Sequence, residues 1–600
     1  MDLARTEEQT ERRAGGAEVS FRRALWGGLV LGILIAASFS GPAQEAAQEP
    51  VEPQGQAVQP LTVDRTLATL HGVVRNAATG EGLPRALVRV EGDADSGVLT
   101  DGDGRFEIPN IPVGPQIVDV RKPGFRDASN RLGITSDSDL TGLPHNVMVA
   151  AEMADVVFTL APMGAIRGQV ELSTGDAAGG IAVLLARRAI ADGRAMWQAA
   201  GATKTRSDGT YRIGGLADGE YAIFSQGELE SELDTMPGAG VRWGYPSVYY
   251  PDARDPSGAG KIHVANGAEA QANLTQTLEP FQAVSAAVTI PQPSSASQSG
   301  MNFNAEVMDG PGHSLGYPAL YNQESHSIQA NLPDGSYTLL VSRPPLMEQG
   351  RDLGSPSPGM TMVGMVDFAV AGHAVPDLRV TLSAPRPGPV QISIVRSEVE
   401  PAGARGNGQI IVMMSRAGGW IDDGMMNVYV NGNVSGPLEG LYTPPGSYWV
   451  HTNILDKTLC ESSFTAGGAS LAREPVVIGL SGSTAPMELT LRDDCAGLQL
   501  SLPETLATIT AGVEPFFTVY VVPDFDFTTD LTPVTLRPST GGTVTLSGLT
   551  PGNYHVYTLP GFAQLEYRNR EALAALPNPG QAITLSPGTT GNLIVEAPGP

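Results

Sequence analysis

The stretch SDGTYRIGGLADGEYAIF, residues 207–224, admits two readings. Its Asp and Gly residues belong either to a metal-binding loop or to the punctuation between short β-strands. Tyr211 and Ile213, then Tyr221 and Ile223, place apolar side chains two residues apart, the period of a strand with one face in a core and one in water. Asp-Gly ahead of such a run supplies the positive φ of a tight hairpin turn. The same device stands at TDGDGRFEI, residues 100–108, where Asp101, Asp103 and Gly104 fit the third, fifth and sixth places of a calcium loop. Leu99 and Asn110 would then fill the first and twelfth, so the anchoring Asp and the bidentate Glu are missing and the hairpin reading is preferred.

Working outward, a Gly, a small or polar residue and a Tyr open an alternating run four times: DGEYAIF at Gly219, DGSYTLLV at Gly335, PGSYWV at Gly446 and PGNYHVY at Gly552. A looser copy, VGPQIVDV, sits at Gly114, and the successive intervals are 105, 116, 111 and 106 residues. Such intervals exceed a solenoid unit and match whole modules. Thr-Leu ends a strand-like run at Leu160, Leu278, Leu382 and Leu491, and each is followed within a few residues by another: 166–172, 284–290, 390–395 and 498–502. The first module opens with LHGVVR (70–75), and the fifth closes with NLIVEAP (592–598). The pattern predicts an all-β chain of tandem antiparallel β-sandwiches over 67–162, 163–280, 281–384, 385–497 and 498–600. Helix is expected at NREALAALP, 569–577.

The chain has 600 residues, with 72 Gly, 47 Pro and only 6% aromatics, a balance suited to several domains of short strands and many turns. A net charge of -26 leaves no basic field for phosphate backbones, which excludes nucleic acid as a partner. After an n-region of 1–23, the uncharged run ALWGGLVLGILIAASF (24–39) follows Arg22 and Arg23 and marks 24–40 as a secretory signal or an N-terminal membrane helix. Its shortness favours cleavage and the length of what precedes it favours an anchor, so both stand open. Either way the remainder is expected outside, periplasmic or at the cell surface, with the membrane met only through 24–39. Residues 41–66, rich in Gln, Pro and Glu, read as a disordered linker. Cys460 and Cys495 are the only cysteines, and either pair or remain two buried thiols.

With these residues in view, the first module resembles the carboxypeptidase regulatory-like domain, a transthyretin-type accessory fold. The likeness rests on LHGVVRNAATGEGLPRALVRVEG, TDGDGRFEIPNIPVG and VRKPGF; IRGQVEL and TRSDGTYRIGGLADGEYAIF extend it to about residue 225. The resemblance implies a seven-stranded sandwich, related to starch-binding-like folds, used as an accessory or spacer in secreted and cell-surface bacterial proteins.

No catalytic residues are predicted. None of the eight His (71, 145, 263, 313, 326, 373, 451 and 555) is followed by Glu at metallocarboxypeptidase spacing, so no metal or other cofactor is expected. GLSGS (479–483) lacks the closing Gly of a nucleophile elbow. The acids at Asp422-Asp423, Asp493-Asp494 and DFDFTTD (524–530) read as solvated turns, because paired glycosidase carboxylates must flank a cleft that sequence does not place. The candidate binding surface is VRWGYPSVYYPDARDPSG (241–258), whose Trp243, Tyr245, Tyr249 and Tyr250 either stack on a sugar or peptide or plug the end of the second sandwich. Trp420 is a weaker candidate, and Trp449 follows strand alternation and is expected to pack against a sheet. The expectation is a non-enzymatic scaffold or adhesive protein, its short handovers making an extended rod, with a cell-envelope protein as partner. The alternatives are a polysaccharide-binding protein and an accessory module of a secreted hydrolase.

Overall fold

In a computed structural model, both Asp-Gly segments are chain reversals of one construction. Thr205 Oγ1 accepts the Ile181 N–H at 2.9 Å and donates to the Ala178 carbonyl at 2.6 Å. Thr100 Oγ1 does the same with Ala86 N–H at 2.8 Å and the Leu83 carbonyl at 2.6 Å. The acids are consumed locally: Asp208 Oδ1 accepts from Thr210 N–H at 3.0 Å, and Asp101 Oδ1 from Asp103 and Arg105 N–H at 2.9 and 2.8 Å. Gly104 and Gly209, both at φ 76°, lie where the turn meets the module's first strand. Their carbonyls accept the Val74 and Val170 N–H at 2.8 and 2.9 Å. A Cβ on either would fall 2.5 Å from the Val74 or Val170 carbonyl oxygen, so close approach and backbone conformation both demand glycine.

These turns are not the hairpins expected. Strand Arg194–Lys204 lies in one sheet and Thr210–Leu216 in the other; Val98–Leu99 and Arg105–Pro112 are divided in the same way. The reason is that the turn bonds outward to the first strand and not back to the strand before it, which carries the chain from layer to layer.

The structure describes residues 66–92, 97–130, 143–230, 242–290, 303–309, 314–343, 362–383, 388–395, 409–418, 425–427, 432–433, 437–438, 443, 445–479, 484–507 and 511–596. The apolar run 24–39 and the linker lie outside the described residues. Among the described residues no helix is long and apolar enough to cross a membrane. Arg570–Ala574 is helical, its start capped by the Asn569 side chain, which accepts from Glu571 and Ala572 N–H.

Among the described residues, the five largest apolar clusters fill the two-layer units and include Phe158, Tyr221, Phe281, Tyr448 and Tyr554. To the antiparallel pattern each unit adds parallel pairing between its first strand and its closing segment, as between Leu67–Asn76 and Val156–Pro162 and between Ala496–Ser501 and Thr590–Ile594. The recurring Tyr closes a corner. Its hydroxyl donates to the carbonyl four residues back: Tyr221 to Ala217 at 2.6 Å, Tyr337 to Pro333 at 2.9 Å and Tyr554 to Thr550 at 2.5 Å. In the looser first copy Gln116 Nε2 makes the same bond to the Pro112 carbonyl at 3.0 Å. A ring that spans the core and ends in a satisfied hydroxyl fixes the strand's entry to its sheet.

The extended rod does not form. Gly512–Val513, in the fifth unit, pairs antiparallel with His145–Val149 and so completes a sheet of the first. Glu514 N–H donates to the Asn146 carbonyl at 2.8 Å, and Asn146 Nδ2 returns a bond to Glu514 Oε2 at 2.7 Å. Neighbouring units also share strands: Arg242–Tyr245 pairs with Glu279–Thr289 in the third unit's sheet. Short handovers constrain only consecutive units, so they leave the first and last free to meet.

Thr205→Val keeps the shape of the side chain but strands a buried N–H and a buried carbonyl. We expect a loss of about 2 kcal/mol in the urea unfolding of the second unit, and about half that for Thr205→Ser, read from the shift in denaturation midpoint.

Candidate functional site

Of the two readings of the aromatic segment 241–258, its tyrosines follow the one in which they plug the second sandwich. Tyr245 and Tyr249 are buried, Tyr249 stacked on Phe224 with ring centroids 5.1 Å apart, and Tyr250 packs against the second unit's core. Tyr250 is half-buried and Trp243 is the most exposed of the four, at 37%, on a strand that belongs to the third unit's sheet. Tyr245 and Tyr249 point inward because they lie on core-facing positions of short strands, Arg242–Tyr245 and Val248–Tyr249, where sequence suggested a loop.

The acids of DFDFTTD are each engaged. Asp524 pairs with His555 at 2.7 Å, Asp526 with Arg473 at 2.8 Å, and Asp530 turns inward to His451 at 3.0 Å. Asp494 is held by Arg492. Asp422, Asp423 and Trp420 lie outside the described residues. A cleft of 560 Å³ between the fourth and fifth units is lined in part by Glu461, Arg473, Phe525 and Asp526. The Glu461 carboxylate is buried and accepts from Thr452, Thr528 and Thr529 hydroxyls at 2.7, 2.8 and 2.9 Å and from Thr528 N–H at 2.8 Å. Cys460, the residue before it, is joined by a disulfide to Cys495, which pins strand Cys460–Ala466 of the fourth unit to the residue just ahead of the fifth unit's first strand, Ala496–Ser501.

The concentration of chemistry lies elsewhere. Strands Ala182–Ala191 and Arg194–Lys204 form a long hairpin whose two-residue tip is Asp192-Gly193, with φ of 44° and 66°. This is the Asp-Gly pair that does turn a tight hairpin. The tip enters a socket between the fourth and fifth units. Asp192 Oδ1 accepts from the Tyr567 hydroxyl at 2.7 Å and Arg568 Nη2 at 3.1 Å; Oδ2 accepts from Arg568 Nε at 2.9 Å and lies 2.7 Å from His451 Nδ1. Arg568 N–H donates to the Gly193 carbonyl at 3.0 Å. Arg194 Nη1 is 3.3 Å from Asp192, its Nη2 donates to the Ala472 carbonyl at 3.2 Å, and its guanidinium lies 3.9 Å over the ring of Trp449. On the far side of the imidazole, Nε2 is 2.8 Å from Ser415 Oγ.

Burial opposes the charge on each member, and the neighbours decide the outcome. Asp192 is held well below the ordinary carboxylate range, because His451 and Arg568 outweigh burial. Burial, with the Asp192 carboxylate beside it, pushes Asp530 up to about 6 against the pull of His451. For His451, the bonds to Asp192 and Asp530 overcome burial and raise it. Burial and Arg568 bring Arg194 down to about 10, which leaves it charged.

Asp192, His451 and Asp530 hold ligand atoms within 4.8 Å of one another. They do not fit a cation. Both Asp192 oxygens are taken by Tyr567 and Arg568, and two guanidiniums already supply the positive charge that an ion would bring. Ser415, His451 and an Asp also reproduce the order of a nucleophilic triad, but two carboxylates share one nitrogen of His451 and favour its charged form, and Ser415 is only 8% exposed, which sets the arrangement apart from a neutral base beside a reachable hydroxyl. The arrangement joins three units. Sequence held one signal for it, ADGR between two strand-like runs; nothing local marked Tyr567, Arg568 or His451.

Residues 69–145 match the family model of the carboxypeptidase regulatory-like domain. Among solved structures, the Streptococcal ancillary pilin is 11% identical and covers 52% of this chain and 99% of its own, with a TM-score of 0.17. The Bacillus anthracis TIE protein, 10% identical, covers 89% of this chain and 69% of its own at a TM-score of 0.14. The minor pilin GBS52 of Streptococcus agalactiae, 13% identical, covers 38% and 100% at 0.17. Likeness at these scores carries no argument about what this chain does. No curated protein matches it.

Arg568→Ala removes the forked partner of a carboxylate whose side chain is 4% exposed. Loss of this partner from a buried charge network is expected to cost about 3 kcal/mol in the urea transition that includes this junction, with Arg194 and His451 still beside Asp192, whereas Trp243→Ala shifts it by less than about 1 kcal/mol.

Proposed function

We propose that the chain is a non-catalytic scaffold held on the outer side of a membrane, periplasmic or at the cell surface. The observation that carries the reading is that the buried ionisable groups connect units: Asp192 seats the second against the fourth and fifth, and Glu461 binds the fourth to the fifth. Carboxylates with every oxygen occupied and a histidine held between two acids give a body of fixed shape, not a reaction centre. The scaffold is a closed block in which the last unit returns to the first, so its span is set by its folds and not by the sum of its units. The run 24–39 supplies the route outward, and the Gln- and Pro-rich linker holds the block away from the bilayer if the run is retained.

Lys261 has a side chain 59% exposed and is a direct reporter of location. A membrane-impermeant amine reagent applied to spheroplasts is expected to label it as fully as it does in the purified protein. Labelling only after the cells are lysed would place the block in the cytoplasm and end this reading.

A further inference from the structure

The socket around Asp192 holds one more acid than its fixed contacts require. Asp192 has Tyr567, Arg568 and Arg194 as donors besides His451, whereas Asp530 meets the imidazole nitrogen that Asp192 also uses, at 3.0 Å against 2.7 Å. Nδ1 carries a single hydrogen, and Ser415 Oγ at 2.8 Å from Nε2 is able to accept a second from the charged ring. Without an additional proton, two carboxylates remain ionised within 4.8 Å of each other in a site largely closed to water. Asp530 is the member in touch with solvent, its side chain 29% exposed against 4% for Asp192 and 2% for His451.

We propose that this junction is a proton-operated clasp: a proton held between Asp530 and His451 keeps the Asp192 hairpin tip seated between the fourth and fifth units, and its loss lets the tip lift out. The inference rests on the reading of the chain as a closed scaffold. The groups that face the pair are Asp192 and Arg194 from the hairpin, Ser415 beside His451 on the fourth unit's sheet, and Tyr567 and Arg568 from the fifth. At the rim stand Arg188 with Glu220 and Glu566, and Arg473 with Asp526. Glu461 lies behind, closed off by Thr452, Thr528 and Thr529.

The direction of the pH effect follows from these neighbours. Asp530, raised in the seated state, favours seating at acid pH, and its contribution declines as pH rises from 3.8 through about 6. His451, also raised, contributes fully below 6.5 and loses its contribution as pH rises through its seated value. Asp192, depressed, acts in the opposite sense, but only as pH falls below 3.8. The clasp is therefore tightest in mildly acidic solution and loosens toward alkaline pH.

Hydrogen exchange at the Arg568 amide, which donates to the Gly193 carbonyl, reads the seated tip directly. In the full chain, after correction for the intrinsic pH dependence of exchange, its protection is expected to fall at least about tenfold between pH 5 and pH 8. Asp530→Asn, a neutral stand-in for the protonated acid, removes the Asp530 part of the transition and is expected to shrink the fall to what His451 beside Asp192 contributes alone. The Glu514 amide, bonded to Asn146 away from the socket, serves as the unchanging reference. Equal protection at both pH values in the wild type, or the full wild-type transition persisting in Asp530→Asn, overturns the clasp. If Asp192→Ala then abolishes protection at both pH values, the closed scaffold stands without it. Full protection in Asp192→Ala would show that the tip does not hold the units together, and the underlying reading fails as well.

Discussion

A single buried carboxylate, that of Asp192, is shared among three folded units. Taking such a group out of water is costly, and the cost is offset only when several donors converge on both of its oxygens. Here the donors come from the second, fourth and fifth units together: Arg194 from its own hairpin, His451 from one partner, Tyr567 and Arg568 from the other. Any arrangement that separates these units parts Arg568 from Asp192 and leaves Asp192 with Arg194 alone as counter-charge. The network therefore acts on which arrangement is allowed more than on how stable each sandwich is. Gly512–Val513 pairing with the first unit adds a second closure at the other end of the chain.

The fold was legible because its determinants are local. Alternation at Tyr211, Ile213, Tyr221 and Ile223 marks strands directly, and the repeated Gly-x-Tyr identifies the corner whose hydroxyl reaches the carbonyl four residues back. The looser copy preserved the chemistry without the ring, as Gln116 shows. Turn type was less legible. Asp-Gly specifies positive φ, and that requirement is met equally by the layer-to-layer turns at Gly104 and Gly209 and by the true hairpin at Asp192-Gly193. What separates them is Thr100 and Thr205, whose buried hydroxyls tie the turn to a neighbouring loop. That distinction depends on contacts between segments that alternation does not describe.

The junction was nearly invisible for the same reason. Asp192, His451, Asp530 and Arg568 are far apart in the chain, and each sits in a stretch that reads as an ordinary turn or strand. Aromatic density drew attention instead to Trp243, Tyr245, Tyr249 and Tyr250, yet the tyrosines among them serve the cores beside them, as large apolar rings near strand ends commonly do. Trp449 was placed on its sheet by alternation, but the guanidinium of Arg194 that covers it comes from a unit far away in sequence. Short handovers suggested a rod because they restrict neighbours only. Closure is decided by complementary charges and one exposed sheet edge, and neither has a sequence period.

Small-angle X-ray scattering of the chain without its first 65 residues tests the closure most directly. With the last unit returned to the first and the Asp192 tip seated, the radius of gyration should lie near about 25–30 Å, close to the scaling of a single folded body of this size. A value of about 50 Å, that of the same sandwiches placed end to end, would contradict it.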